Sequence, residues 1–175
     1  MIRIFLIGYM GAGKTTLGRV LARELGVQFV DMDCFIEERY HATVRDLFQQ
    51  RGEEGFRLIE QHILHEVGEF EDVLISCGGG TPCFFDNMDY MNAQGQTVLL
   101  SASIDCLFRR LAENRSRRPI LMNKTDEELR DFIAQALEQR MPYYSRARYT
   151  FNAEQLESHE EISDSVARFR SLLGI

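Results

Sequence analysis

Eight residues near the N-terminus, "GYMGAGKT" (Gly8–Thr15), fit the pattern G-x-x-x-x-G-K-[ST]. That spacing suits a phosphate chain. Gly8, Gly11 and Gly13 let backbone N–H groups curl around a phosphate, Lys14 carries a point charge for the β- and γ-phosphates, and Thr15 offers a hydroxyl to Mg²⁺. An apolar run precedes the motif, and an amphipathic pattern at Leu17, Val20, Leu21 and Leu25 follows it. Strand–loop–helix is therefore the setting, which argues against a plain turn with a chance lysine. The motif predicts a nucleoside triphosphate site and leaves the phosphate acceptor open, since switches, ATP-driven machines and small-molecule kinases all share it.

Other residues carry acceptor chemistry. "VDMD" (30–33) ends a second apolar run. On a strand the side-chain period of two points Asp31 and Asp33 the same way, toward the crevice at the strand's carboxyl end. One carboxylate could hold a Mg²⁺-bound water and the other could orient or deprotonate a hydroxyl. Either could equally cap the following helix. Arg57 lies beside the apolar stripe Phe56, Ile59, Ile63, Leu64 and Val67, with Glu60 one turn on. The two could form a held guanidinium or an ordinary surface ion pair. Arg140 stands before Met141-Pro142, where it could meet a helix dipole, in a stretch that also gathers Arg146 and Arg148. "SCGGGT" (76–81) places three glycines where a third apolar run should end. They suit a phosphate loop, a turn, or a wall against which another molecule lies on bare backbone.

The elements that must position these groups follow from periodicity. Strands are expected at Ile2–Ile7, Gln28–Asp31, Val73–Ser76, Thr97–Leu100 and Tyr149–Phe151. Helices are expected at Thr15–Leu25, Cys34–Tyr40, Val44–Gln50, Glu53–Glu69, Phe84–Ala93, Ile104–Asn114, Glu127–Arg140 and about Glu160–Leu173. Their alternation implies a mostly parallel sheet with helices on both faces. "AENRSRRPILMNKTDEE" (112–128) is polar and basic and reads as a mobile excursion. At 175 residues and 45% apolar content the chain suits one compact domain. A net charge of −7 argues against general nucleic-acid binding, and no apolar run approaches the roughly 18–20 residues of a membrane span. Cys34, Cys77, Cys83 and Cys106 show no pairing motif and read as buried thiols of a cytosolic protein.

Six segments together carry a resemblance: "GYMGAGKT" at 8–15, "DMD" at 31–33, "EEGFRLIE" at 53–60, "CGGGT" at 77–81, "RRPIL" at 117–121 and "RMPYY" at 140–144. In this order and spacing the chain resembles the shikimate kinase family, whereas gluconate and nucleotide kinases share only the first segment convincingly. The resemblance implies a three-layer α/β/α fold with a five-stranded parallel sheet, of the P-loop, nucleoside-monophosphate-kinase-like type. It implies a single domain over 1–175, with a substrate-binding segment at about 32–60 and a lid at about 112–127. The implied activity is Mg²⁺- and ATP-dependent phosphorylation of the 3-hydroxyl of shikimate, by a cytoplasmic monomer that engages neither nucleic acid nor membrane. Carried onto this chain, Gly11, Ala12, Gly13, Lys14, Thr15 and Thr16 would hold ATP, with Thr15 and, through water, Asp31 on the metal. Asp33 would bind the acceptor and serve as the base, Arg57 and Arg140 would grip its carboxylate, and Gly79 and Gly80 would line it. Lys14 and Arg118 would stabilise the transferring phosphoryl group, with Arg117 beside the latter. One departure is visible: the proline that the family often carries over the adenine is missing from "NAEQLESHEEI" (152–162).

Overall fold

The computed structural model describes residues 1–175. Five strands, β1 (Arg3–Ile7), β2 (Gln28–Asp31), β3 (Val73–Ser76), β4 (Gln96–Ser101) and β5 (Tyr149–Asn152), form one sheet in the order β2-β3-β1-β4-β5. Every pairing is parallel. Parallel strands joined by helical crossovers are covered on both faces, so they read as continuous apolar runs. Ile4 to Ile7 in β1 and Val73 to Ile75 in β3 are accordingly sealed from solvent.

Seven helices cover the sheet: α1 (Lys14–Leu25), α2 (Met32–Tyr40), α3 (Val44–Val67), α4 (Asn87–Gln94), α5 (Ile104–Glu113), α6 (Asp126–Tyr144) and α7 (His159–Leu173). Thr43 caps α3 and Ser158 caps α7 through capping boxes, while Asp31, Ser103 and Thr125 cap α2, α5 and α6 with one side-chain acceptor each. The N-cap of α1 is Gly13, with no side-chain cap. That helix therefore opens with unclaimed N–H groups and its positive dipole end facing outward from β1.

Three boundaries depart from the sequence expectation. Asp33 does not continue β2; the chain enters α2 at Met32, and the period-two argument for Asp31 and Asp33 fails there. The cause is local, since Asp31 is extended and its Oδ1 accepts from the Cys34 amide at 3.2 Å, closing the first turn. The helices expected at Val44–Gln50 and Glu53–Glu69 are one run, α3, interrupted only at Gly52 with φ 68° and ψ 178°. Helix α6 continues past Arg140 to Tyr144 with Pro142 inside its last turn, so Arg140 is not terminal. The cysteines also divide: Cys77 and Cys106 are buried, Cys83 is partly so and Cys34 is exposed, and all four are free thiols. No helix is long and apolar enough to cross a membrane.

Candidate active site

The carboxyl ends of β1, β2 and β3 lie side by side and open into a cavity of about 370 Å³. The phosphate loop forms one wall. Gly11 and Gly13 adopt φ of 83° and 95°, so the backbone sign favours glycine there, and a Cβ on Gly13 would also push aside the Leu156 methyl 2.4 Å away. Lys14 Nζ donates to the Gly8 and Tyr9 carbonyls at 2.7 and 3.0 Å. Burial pushes this ammonium down to about 8, against the opposing pull of Asp33. Gly11, Gly13, Lys14, Thr15 and Thr16 all line the cavity. Ala12 does not: it is 1% exposed, and its amide donates back to Tyr9 O at 3.1 Å.

Asp31 serves two of its proposed uses at once. One carboxylate oxygen caps α2, and the other accepts from Thr15 Oγ1 at 3.1 Å. A hydroxyl and a carboxylate facing each other are hard oxygen donors of the kind Mg²⁺ takes alongside phosphate oxygens and water. No cluster of three His, Cys, Asp or Glu side chains exists that could hold a metal unaided. Asp33, on the first turn of α2, also lines the cavity. The protein around it raises its carboxyl to about 6, chiefly by desolvation, with Asp31 and Glu60 adding to the rise and Lys14 opposing it.

The three glycines after β3 adjoin the phosphate loop, with Gly8 O and Met10 N 3.6 and 3.7 Å from where a Gly79 Cβ would stand. None has a positive φ, so backbone freedom is not what selects them. Space is. A Cβ on Gly78 would lie 3.0 Å from Glu60 Oε2 and 3.3 Å from Asp33 Oδ1; on Gly79, 3.0 Å from Arg140 Nη1; on Gly80, 2.7 Å from Arg57 Nη2. Each glycine thus makes room for a charged group. Gly78 and Gly79 line the cavity, while Arg57, Arg140 and Gly80 stand just behind its edge.

Arg57 is 11% exposed and Glu60 is 2% exposed at their side chains, with Arg57 Nη1 donating to Glu60 Oε1 at 2.9 Å. The other Glu60 oxygen accepts from Thr81 Oγ1 at 2.8 Å. The Arg57 guanidinium lies 4.2 Å from the Phe84 ring centroid. A surface ion pair is ruled out by that burial. Arg140 sits 5.3 Å from the Tyr9 ring centroid.

Across the cavity mouth, the segment after α5 forms two short 3₁₀ turns, Arg115–Arg117 and Pro119–Leu121, tied to the core by the buried Leu121. Arg118 lines the cavity and its Nη1 approaches Met10 Sδ at 3.7 Å, whereas Arg117 is exposed and not part of the lining.

Several residues at the cavity lining or behind it make contacts that sequence reasoning did not predict. Arg110 donates to the carbonyls of Gly11, Ala153 and Glu154 and to Glu157, tying α5 to the phosphate loop and to the loop that lacks the expected proline. Leu156 and Glu157 occupy that rim instead. Tyr144, buried at the end of α6, donates to Gly79 O at 2.6 Å. The basic "RR" at 109–110 and the "RMPYY" segment at 140–144 contain Arg110 and Tyr144, but neither pattern indicates these bonds.

A phosphate loop at the carboxyl end of the central strand of a five-stranded parallel sheet, beside a glycine run backed by charged side chains, defines a P-loop kinase fold. The family model described as "Shikimate kinase" matches residues 10–170. Curated shikimate kinases of Bacteroides thetaiotaomicron and Phocaeicola vulgatus are each 58% identical, covering 100% and 99% of both chains. The chain belongs to the shikimate kinase family. It superposes on the crystal structure of shikimate kinase from Bacteroides thetaiotaomicron with a TM-score of 0.97 at 57% identity, covering 99% of each chain. On shikimate kinase from Acinetobacter baumannii in complex with shikimate the TM-score is 0.83 at 31% identity, covering 99% of this chain and 94% of that one. A gluconokinase from Sinorhizobium meliloti, at 18% identity and a TM-score of 0.61 over 99% of this chain and 95% of that one, shares the fold alone.

Proposed function

We infer that the chain transfers the γ-phosphoryl group of ATP to the 3-hydroxyl of shikimate, giving shikimate 3-phosphate and ADP on the route to the aromatic amino acids. The observation that carries this is 58% identity over the full length of a curated shikimate kinase.

The residue roles follow from charge and position. The phosphate loop, Lys14 and the open N-terminus of α1 bind the triphosphate. Thr15 and Asp31 would hold Mg²⁺, which when bound neutralises phosphate charge. Arg57, fixed by Glu60, and Arg140 present two guanidinium groups to the shikimate carboxylate, a bidentate acceptor for such forks. The ring then lies against Gly79 and Gly80, with a hydroxyl toward Asp33. As the new O–P bond forms and the bond to the ADP oxygen breaks, the hydroxyl proton passes to Asp33. A carboxyl held near 6 is ionised at neutral pH and still basic enough to accept it. Arg118 brings positive charge to the transferring group. Residues about 32–60 act as the acceptor-binding segment and about 112–127 as the lid.

A coupled ADP-release assay offering shikimate, gluconate and nucleoside monophosphates tests this reading. Turnover with shikimate alone is expected, and turnover only with another acceptor overturns it.

A further inference from the structure

Tyr144 has no part in the chemistry described above, yet its surroundings are specific. It is 1% exposed, and burial pushes its phenol up to about 12, so it is a neutral donor at any working pH. Its hydroxyl donates at 2.6 Å to the carbonyl of Gly79, sixty-five residues away in sequence. It is also the fourth residue after Arg140 on α6, and side chains four apart share one helix face. The same face of the same helix turn therefore carries the Arg140 guanidinium and grips the backbone of the glycine wall. Arg140 in turn reaches to 3.0 Å from where a Gly79 Cβ would stand.

Three consecutive glycines make a wall with little stiffness of its own, because glycine backbone has the most freedom to lose. Turn bonds hold the C-terminal side, with the Thr81 and Cys83 amides donating to Gly78 O and Gly80 O at 3.1 and 3.0 Å. The Gly79–Gly80 peptide is trans, so its carbonyl and N–H point in opposite directions across one rigid plane. Fixing the Gly79 oxygen on the α6 side fixes where the Gly80 N–H points.

We propose that Tyr144 is a positioning residue that pins the Gly79–Gly80 peptide plane to the helix carrying Arg140, setting wall and guanidinium in register for the acceptor. The inference rests on the shikimate-kinase reading, with Gly79, Gly80 and Arg140 on the acceptor side. Sub-ångström errors in such a register are costly, because the acceptor ring carries several similar hydroxyls and its orientation comes from positioning. The Tyr144 bond itself goes to Gly79 O and not to the phosphate loop; Gly79 does adjoin that loop, with Gly8 O and Met10 N 3.6 and 3.7 Å from where its Cβ would stand, so the larger effect is expected on the acceptor and the smaller on ATP.

The test compares wild type with Tyr144→Phe, which keeps ring and volume and removes only the donor. Shikimate KM should rise about 3- to 10-fold, as expected for one lost hydrogen bond, with ATP KM changed less than about twofold. Calorimetry should show the same loss in shikimate affinity. An unchanged shikimate KM, or an equal rise in both KM values, overturns the pin and leaves Tyr144 a packing residue. Absence of shikimate turnover in the wild type instead overturns the underlying reading. If Tyr144→Phe does not fold, hydrogen exchange on wild type decides. The Tyr144 hydroxyl proton should exchange slowly enough with water to be seen by NMR, as a buried bonded donor does, and a hydroxyl proton averaged with water overturns the proposal.

Discussion

Arg57 and Glu60 form a sealed ion pair, 2.9 Å across, behind the glycine run that follows β3. Removing one partner strands the other charge in a place with little water, which costs far more than an exposed pair would. Arg57→Ala should therefore raise shikimate KM about 10- to 100-fold, the loss of a charge-assisted bond, while ATP KM stays near wild type. Glu60→Ala should raise shikimate KM and also lower Tm, because it removes the acceptor of both Arg57 and Thr81 and leaves Arg57 only the looser, exposed Glu53 carboxylate at 3.7 Å. The double variant should be much less than additive. Additive losses in steady-state kinetics would mean that Glu60 acts independently of Arg57.

Asp33 is expected to trade stability for rate. Its folded carboxyl titrates near 6 against an ordinary value of 3.8, so the folded state binds its proton more tightly than the unfolded chain does. Between those two values stability falls as pH rises, and above about 6 the ionised group is a net cost to folding. Asp33→Asn removes that cost. It should lower kcat about 10²-fold or more, yet raise Tm at pH 7 by a few degrees, with the gain vanishing below about pH 4. Thermal melts of both proteins from pH 4 to 8 check the sign.

That aspartate also marks where sequence reasoning reached and where it stopped. The five strands, the phosphate loop and the charged groups around it were legible because periodicity and spacing are local. Asp33 was placed in the right cavity by a wrong argument: strand alternation does not survive the cap that Asp31 builds with the Cys34 amide. The glycine run was read as bare backbone, and so it is, but what it makes room for are Glu60, Arg140 and Arg57. Those contacts join the loop after β3 to α3 and α6, and nothing in the local pattern encodes them. Arg110 on Gly11 O and Tyr144 on Gly79 O span 99 and 65 residues and were invisible for the same reason.

Gly79→Ala probes the wall directly. Because Gly79 has no positive φ, alanine fits the backbone, and the only tight neighbour is Arg140 Nη1 at 3.0 Å. The fold should persist, with Tm within a few degrees of wild type, while shikimate affinity drops and ATP affinity does not. Gly13→Ala should do the reverse: φ of 95° and Leu156 at 2.4 Å make it lower both Tm and ATP affinity. Paired melts and titrations with each ligand separate the two, and loss of ATP affinity in Gly79→Ala would remove Gly79 from the acceptor side.

The two kcat/KM profiles should each carry one limb, with distinct owners. On the acid side, kcat/KM for shikimate should rise through about pH 6 as Asp33 ionises. On the alkaline side, kcat/KM for ATP should fall above about pH 8 as Lys14 loses its proton. These are free-enzyme values, which is what kcat/KM reports; bound phosphates would hold the Lys14 proton more tightly, so kcat should stay flat to higher pH. Lys14→Arg, which stays charged, should abolish the alkaline limb even at a lower rate. Its survival would assign that limb to another group.

Arg118 and Arg117 are adjacent in sequence and should differ sharply in effect. Only Arg118 lines the cavity, with its guanidinium against Met10 of the phosphate loop, while Arg117 faces solvent from a 3₁₀ turn. Charge supplied to a developing phosphoryl transition state acts through kcat, because the ground state carries less need of it. Arg118→Ala should reduce kcat about 10²- to 10³-fold with modest change in either KM. Arg117→Ala should stay within about twofold of wild type, as a solvated side chain normally does. Equal losses in both variants would mean that the segment acts through its overall charge. A Arg118→Lys variant separates charge from geometry: restoring the charge without the planar fork should recover only part of the rate.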